Sequence, residues 1–220
     1  MMQKILALIG TFVLVFFGTE VNQIKVIDGD TFDCEVGRVR ILNINTPERG
    51  ERCFKESKEK LENLLEGGVK LKRDIQNKDK YNRLLRHVNT NKTSVGIEMI
   101  ASGNAKALCI FPNYAGCGEA MDAEVSARML KEGCLFSPSN RTCLKVIDMD
   151  CDGSWFEIEN FCKGPVNLSG VWAENRGNDK VELSGHLNSL EKIKMHLKLY
   201  KQDAVYLFDK NGFISFGRCH

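Results

Sequence analysis

Proline is scarce in this chain, at 4 of 220 residues, and with 19 glycines it is too rare for collagen or a proline-rich tail. A hydrophobic fraction of 43% against 27% charged excludes coiled coil and low-complexity tail, and is enough to bury a core. Acidic and basic residues nearly balance, 29 against 31. A formal net charge of +2 leaves no excess for a broad basic surface of the kind that coats duplex DNA, so any phosphate chemistry must come from a local site. No apolar run approaches the ~20 residues that a membrane-crossing helix needs. None of the nine cysteines forms a C-x-x-C pair, which removes the usual zinc and redox spacings, and no internal repeat relates the two halves.

What is present begins with a leader. Lys4 precedes an unbroken apolar run, Ile5 to Phe17, with the length and charge of a secretory signal peptide, expected over residues 1–20. The following residues lack an A-x-A cleavage site, so an uncleaved membrane anchor stays open. The rest of the chain is expected outside the cytoplasm. Nine cysteines agree with an oxidising compartment and predict disulfides, one thiol at least being left over or paired with another chain; the connectivity is not readable from spacing.

The pattern along the chain divides near Pro138. Before it, QIKVI, TFDCEV and RVRILNI alternate like short strands separated by Asp28-Gly29-Asp30 and Gly37. Thr46-Pro47-Glu48 reads as a helix start, with apolar spacing continuing to Gly67-Gly68. VKLKRD, LLRHVN and AKALCIF are further strands, and helices are predicted over Val95–Ser102 and Glu119–Lys131. This order suits an α+β domain, a five-stranded OB-type β-barrel with three helices, over residues 22–136. Residues 137–142 are polar and read as a linker. Residues 143–220 lose helical periodicity and carry short strands at the spacing of a small all-β immunoglobulin-like sandwich.

Three clusters carry chemistry. IDGDT supplies Asp30, a hard oxygen ligand, although Asp-Gly between alternating runs is also a strong hairpin signal. RVRILNINTPE places Arg40 before Asn45, Thr46 and Glu48, a pattern that equally describes a strand arginine and a helix cap. DKYNR, Asp79 to Arg83, is by itself a solvated charged turn. Together they meet the needs of phosphodiester hydrolysis: guanidinium groups and a divalent ion for charge on the phosphoryl oxygens, and a carboxylate, Glu48, to take a proton from water. Calcium suits a site built of carboxylate, amide and backbone carbonyl oxygens.

IDGDT, R-I-L-N-I-N-T-P-E and D-K-Y-N-R, in this order and at these distances, resemble the staphylococcal (micrococcal, thermostable) nuclease family over roughly residues 22–135. The resemblance implies calcium at Asp30, Asn45 and the Thr46 carbonyl, phosphate contacts from Arg40 and Arg83, and Glu48 as general base. It also implies that Lys80 and Tyr81 contact a terminal phosphate. The family's second calcium carboxylate is Asn45 here, a neutral ligand that weakens the ion or alters its preference. Asn82 replaces a glycine but tolerates left-handed backbone. Cys109 and Phe111 stand where the family has tyrosines, leaving Phe111 for base stacking without the hydroxyl.

In the second half, Asp148, Asp150, Asp152, Gly153 and Glu159 spell an EF-hand loop, yet strand-like alternation on both sides argues against its helices. WFEIENFCKGPVNLSGVW followed by AVYLFDKNG is similar to the lamin-tail domain, over about residues 143–220. The expectation is an exported, calcium-dependent nuclease of low sequence specificity acting on DNA and RNA and leaving 3′-phosphates, with a sandwich that tethers it to a surface or polymer. Two alternatives are a nucleic-acid-binding OB module of weak catalysis and an extracellular calcium-binding or adhesion protein centred on the sandwich.

Overall fold

The computed structural model describes residues 18–219, so the Ile5–Phe17 leader lies outside the described residues. The first half runs β1 (Thr19–Val21), β2 (Lys25–Val26), β3 (Thr31–Cys34), β4 (Gly37–Ile41), β5 (Asn43–Asn45), α1 (Phe54–Leu65), β6 (Val69–Lys78), β7 (Leu84–Asn89), α2 (Val95–Ala101), β8 (Lys106–Leu108), α3 (Cys117–Leu130) and α4 (Gly133–Phe136). Six strands form a curled half-barrel sheet in the order β1-β6-β7-β4-β3-β2, and β5 pairs β8 separately. This mixed α+β architecture is consistent with an OB-like barrel. Phe32, Val39, Ile41, Leu61, Val88, Met99 and Ile100 fill its interior.

Four details differ from the sequence reading. The sheet has six strands, with β5 and β8 paired apart from it, where a five-stranded barrel was expected. Among the described residues there are four helices, not three; α4 is a single turn, too short to show a period. Thr46-Pro47-Glu48 does not start a helix: the chain stays irregular until Cys53, in left-handed conformation, precedes Phe54. The strand expected over AKALCIF stops at Leu108, because Cys109 leaves the ladder for a loop closed by a Cys109–Cys117 disulfide.

The second half is all β: β9 (Leu144–Asp150), β10 (Trp155–Asn160), β11 (Val166–Asn167), β12 (Val171–Glu174), β13 (Lys180–Leu183), β14 (His186–Leu187), β15 (Lys192–His196), β16 (Ala204–Asp209) and β17 (Gly212–Arg218). A three-stranded sheet, β15-β10-β9, and a four-stranded one, β13-β12-β16-β17, share one apolar cluster including Phe156, Ile158, Val205, Leu207 and Ile214. The alternating burial along β10 is what puts Phe156, Ile158 and Asn160 inside. The Asp148–Glu159 segment is a hairpin, its ends lying within the paired strands β9 and β10, where an EF-hand needs a loop between helices.

The halves are joined by a third cluster, in which Cys53, Ala127, Leu135 and Phe136 of the first pack with Ala204, Tyr206 and Phe208 of the second. Residues 137–139 belong to this junction, since the Phe213 N–H donates to the Ser137 carbonyl at 2.8 Å and the Ser139 N–H to the Phe213 carbonyl at 2.7 Å. Disulfides link Cys53–Cys134, Cys109–Cys117, Cys143–Cys162 and Cys151–Cys219, leaving Cys34 as the free thiol. Eight of nine cysteines are paired, in line with the predicted disulfides. No helix among the described residues is long and apolar enough to cross a membrane.

Candidate active site

The turn between β2 and β3 sets the first residue. The Asp30 N–H donates to the Asp28 carboxylate at 3.1 Å, which closes the turn and sends the Asp30 side chain inward. Gly29 is needed there, because a Cβ would lie 2.8 Å from the Thr46 side chain. Asp30 is buried, receives the Thr31 hydroxyl at 2.9 Å and faces the Thr46 N–H at 3.4 Å. Burial pushes its carboxyl up to about 6, with Arg40 opposing and Asp28 adding to the rise.

Arg40 lies across the bend from β4 to β5. Its Nη1 donates to the carbonyls of Ile41 and Ile44 at 2.7 and 2.9 Å, and its Nη2 lies 3.2 Å from Asn45 Oδ1 and 3.0 Å from Asp30 Oδ2. Four of five donors are thereby occupied, so Arg40 offers a fixed charge and its Nε–H rather than a free fork. Arg83 ends the DKYNR turn. Asp79 accepts the N–H groups of Tyr81 and Arg83 and holds Arg83 Nε at 2.6 Å, while Asn82 takes the left-handed conformation, φ 66°, that asparagine allows. Tyr81 lies exposed under Lys80 and Arg83.

A cleft of about 420 Å³ brings Arg40, Lys80, Tyr81 and Arg83 together, walled by Ile44, Leu85 and Leu108. Asp30, Asn45 and Thr46 sit immediately behind Arg40. Glu48 is on the exposed loop two residues beyond Thr46 and does not line the cleft; its N–H donates to the Glu51 carboxylate at 2.7 Å. Phe111 is not a wall residue either: it stands 76% exposed beside Tyr114 on the disulfide-closed loop, while its neighbours Ile110 and Asn113 reach the cleft.

The donor set suits a hard cation in kind. Asp30, the Asn45 amide oxygen and the Thr46 carbonyl are all oxygens, and a cation would add to the positive charge that Arg40 sets against the buried Asp30. Only one of the three is a carboxylate, which points to weak binding, and no group of three or more acidic, His or Cys residues converges among the described residues.

Sequence reasoning missed the residues of the second half that hold Asn45 and Thr46. Asn45 Nδ2 donates to the Arg176 carbonyl at 2.9 Å, and Asn178 Nδ2 donates to the Thr46 carbonyl at 3.1 Å. Lys106, opposite Asn45 in the β5–β8 pair and 1% exposed, donates to Glu174 at 2.9 Å, the Asn175 carbonyl at 3.0 Å and Asn178 Oδ1 at 2.5 Å. The Arg176 guanidinium enters the first half, bonding the Ala107 carbonyl at 2.8 Å and pairing with the buried Glu124, which also accepts the Tyr206 hydroxyl. One signal was available: Ala120, Glu124 and Ala127 share the buried face of α3, so Glu124 is a charge on an apolar stripe.

Residues 38–134 match the family model described as "Staphylococcal nuclease homologue". This stretch is similar to staphylococcal nuclease. It contains Arg40, Glu48 and the DKYNR turn, while Asp30 lies just ahead of it. Among curated proteins, an "Uncharacterized endonuclease" of Haemophilus influenzae is 33% identical over 90 residues, 38% of this chain and 49% of that protein. The chain thus spans about half the length of this relative. Domain and relative together support a nuclease in general terms.

Proposed function

We propose that the chain is an exported, calcium-dependent phosphodiesterase that hydrolyses DNA and RNA with little sequence preference. The observation that carries this reading is the single cleft onto which Arg40, Arg83, Lys80 and Tyr81 open, with Asp30 directly behind Arg40. Arg83, held by Asp79, and the fixed charge of Arg40 neutralise the non-bridging oxygens of the scissile phosphate as charge builds there. Glu48, on its exposed loop, accepts the proton of the water that attacks in line. The bond from phosphorus to the 5′ oxygen breaks, the 5′ oxygen leaves with its electron pair and is protonated by solvent, and the 3′-phosphate remains. Calcium held by Asp30, Asn45 Oδ1 and the Thr46 carbonyl supplies Lewis acidity when bound. Lys80 and Tyr81 contact a terminal phosphate, and Phe111 offers a face for a base at the cleft's edge.

Four disulfides support export, since such bonds persist in oxidising compartments. Two sheets closed on one apolar cluster support reading residues 143–220 as an immunoglobulin-like sandwich of the lamin-tail kind, which would tether the enzyme to a surface or polymer. The reading is tested with the chain from residue 18 onward on single-stranded DNA and RNA, with calcium or chelator, beside Glu48→Ala and Arg83→Ala. Expected is calcium-dependent cleavage that falls by at least ~100-fold in each variant; unchanged cleavage in both would reject the site.

A further inference from the structure

We propose that the second half is a positioning element of the cleft, acting through its Asn175–Lys180 turn; the inference rests on the reading just given and extends it. Three tethers run from this turn to the loop that carries the cation and base candidates. The Arg176 carbonyl accepts Asn45 Nδ2 at 2.9 Å, which fixes the amide so that Oδ1 faces Arg40 and the Asp30 side. Asn178 Nδ2 donates to the Thr46 carbonyl at 3.1 Å and fixes the direction of that oxygen. Lys180 Nζ holds Glu51 Oε1 at 2.5 Å, and Glu51 Oε2 in turn accepts the Glu48 N–H at 2.7 Å. Asn45, Thr46 and Glu48, three of the chain's candidate site residues, are thus each held from outside their own domain.

The tethers are themselves anchored. Asn178 Oδ1 and the Asn175 carbonyl accept Lys106 Nζ, and Lys106 is the cross-strand neighbour of Asn45. The Arg176 side chain is buried and bonded to the Ala107 carbonyl of β8 and to Glu124 of α3. A turn gripped this way cannot drift without dragging β5 with it.

This arrangement accounts for an asparagine at position 45. An amide can accept from Arg40 with its oxygen and donate to the Arg176 carbonyl with its nitrogen. A carboxylate would set an oxygen against that carbonyl oxygen in a buried place. Asn45 is therefore the residue that lets the second half dock while still presenting an oxygen toward Asp30. Partners that orient first-contact ligands typically matter ~10–100-fold for metal affinity or activity.

The test uses Asn178→Asp, which keeps an acceptor for Lys106 and removes the donor to Thr46, and Lys180→Met, at a partly exposed position that leaves the Lys106 grip intact. Thermal unfolding confirms folding, terbium luminescence with calcium competition reads cation affinity, and single-stranded DNA cleavage gives kcat and KM. Expected for Asn178→Asp is a melting temperature near wild type with calcium affinity lowered ~10-fold. Lys180→Met should lower kcat ~10-fold with KM and calcium affinity unchanged, because among the candidate site residues Lys180 reaches only Glu48, through Glu51, its other partner being Glu174 at 3.5 Å. Wild-type affinity and kcat in both folded variants overturn the proposal; should Asn178→Asp fail to fold, Lys180→Met decides it alone. A wild-type protein that binds calcium but cleaves nothing defeats the nuclease reading and leaves the affinity measurement to judge the tethers. One that binds no calcium and cleaves nothing overturns both.

Discussion

Replacing Lys106 by methionine probes the joint between the halves most directly. The Lys106 side chain is 1% exposed and all three ammonium donors go to the second half: Glu174, the Asn175 carbonyl and Asn178. Methionine fills a similar volume but leaves Glu174, 9% exposed, short of its main counter-charge. Removing one partner of a buried pair costs ~3–5 kcal/mol. Glu174 keeps Lys180 at 3.5 Å and the Trp172 N–H at 3.3 Å, which places the loss near the lower end, about 3 kcal/mol. At ~2–4 °C per kcal/mol for a chain of this size, Lys106→Met should melt roughly 6–12 °C below wild type in a calorimetric scan. Adding Glu174→Gln removes the orphaned charge and should restore about half of the loss. A single variant within ~2 °C of wild type, or a double variant no more stable than the single, would refute the pairing as described.

Other consequences follow from the same geometry. Burial pushes the Glu174 carboxyl up, but Lys106 and Lys180 pull it below its ordinary value of 4.5. Its stabilisation is therefore present above that value and fades as pH falls beneath it, so melting scans from about pH 5 to about pH 3 should drop more steeply for wild type than for Glu174→Gln. The Cys53–Cys134 bridge closes a separation of 81 residues, and replacing both by serine should cost ~4 kcal/mol, read as a lower urea midpoint in non-reducing buffer. Gly29→Ala places a methyl group 2.8 Å from the Thr46 side chain, so calcium affinity should fall by at least ~10-fold while far-ultraviolet dichroism stays native. Calcium affinity equal to wild type in Gly29→Ala would show that the close approach has no part in the site.

The cleft was legible because its parts lie in short motifs with local causes. Asp30 sits in an Asp-Gly turn, Arg83 in an Asx-capped turn, and Arg40 five residues before Asn45; each alone also read as a plain turn or cap, and it was their order along the chain that resembled the nuclease family. Strands and the two longer later helices also announced themselves, since burial alternates in β10 and recurs along α3. The joint was not legible. Arg176 and Asn178 meet their partners across 131 and 132 positions, and a single sequence carries no periodic trace of such a meeting. Asn45 stood out only as a departure from a pattern, and its cause became visible once the Arg176 carbonyl was seen against it. The stretch from Thr46 to Cys53 was misread because proline and acid after threonine satisfy helix-start rules that a tertiary tether overrides.

The reach of the Asn45 contact has a bearing on the order in which the molecule is assembled. A ribosome will have made the arginine and carboxylate motifs long before residue 176 appears, and the hydroxyl of Tyr206 that seals Glu124 later still. Until then Lys106 and Glu124 lack these partners. A nascent fragment ending before the second half therefore holds every ingredient of the cleft in sequence, yet lacks the struts that set Asn45 and Thr46 in register. Asn45 and Thr46 thus gain these partners only after residues 176 and 178 have been made.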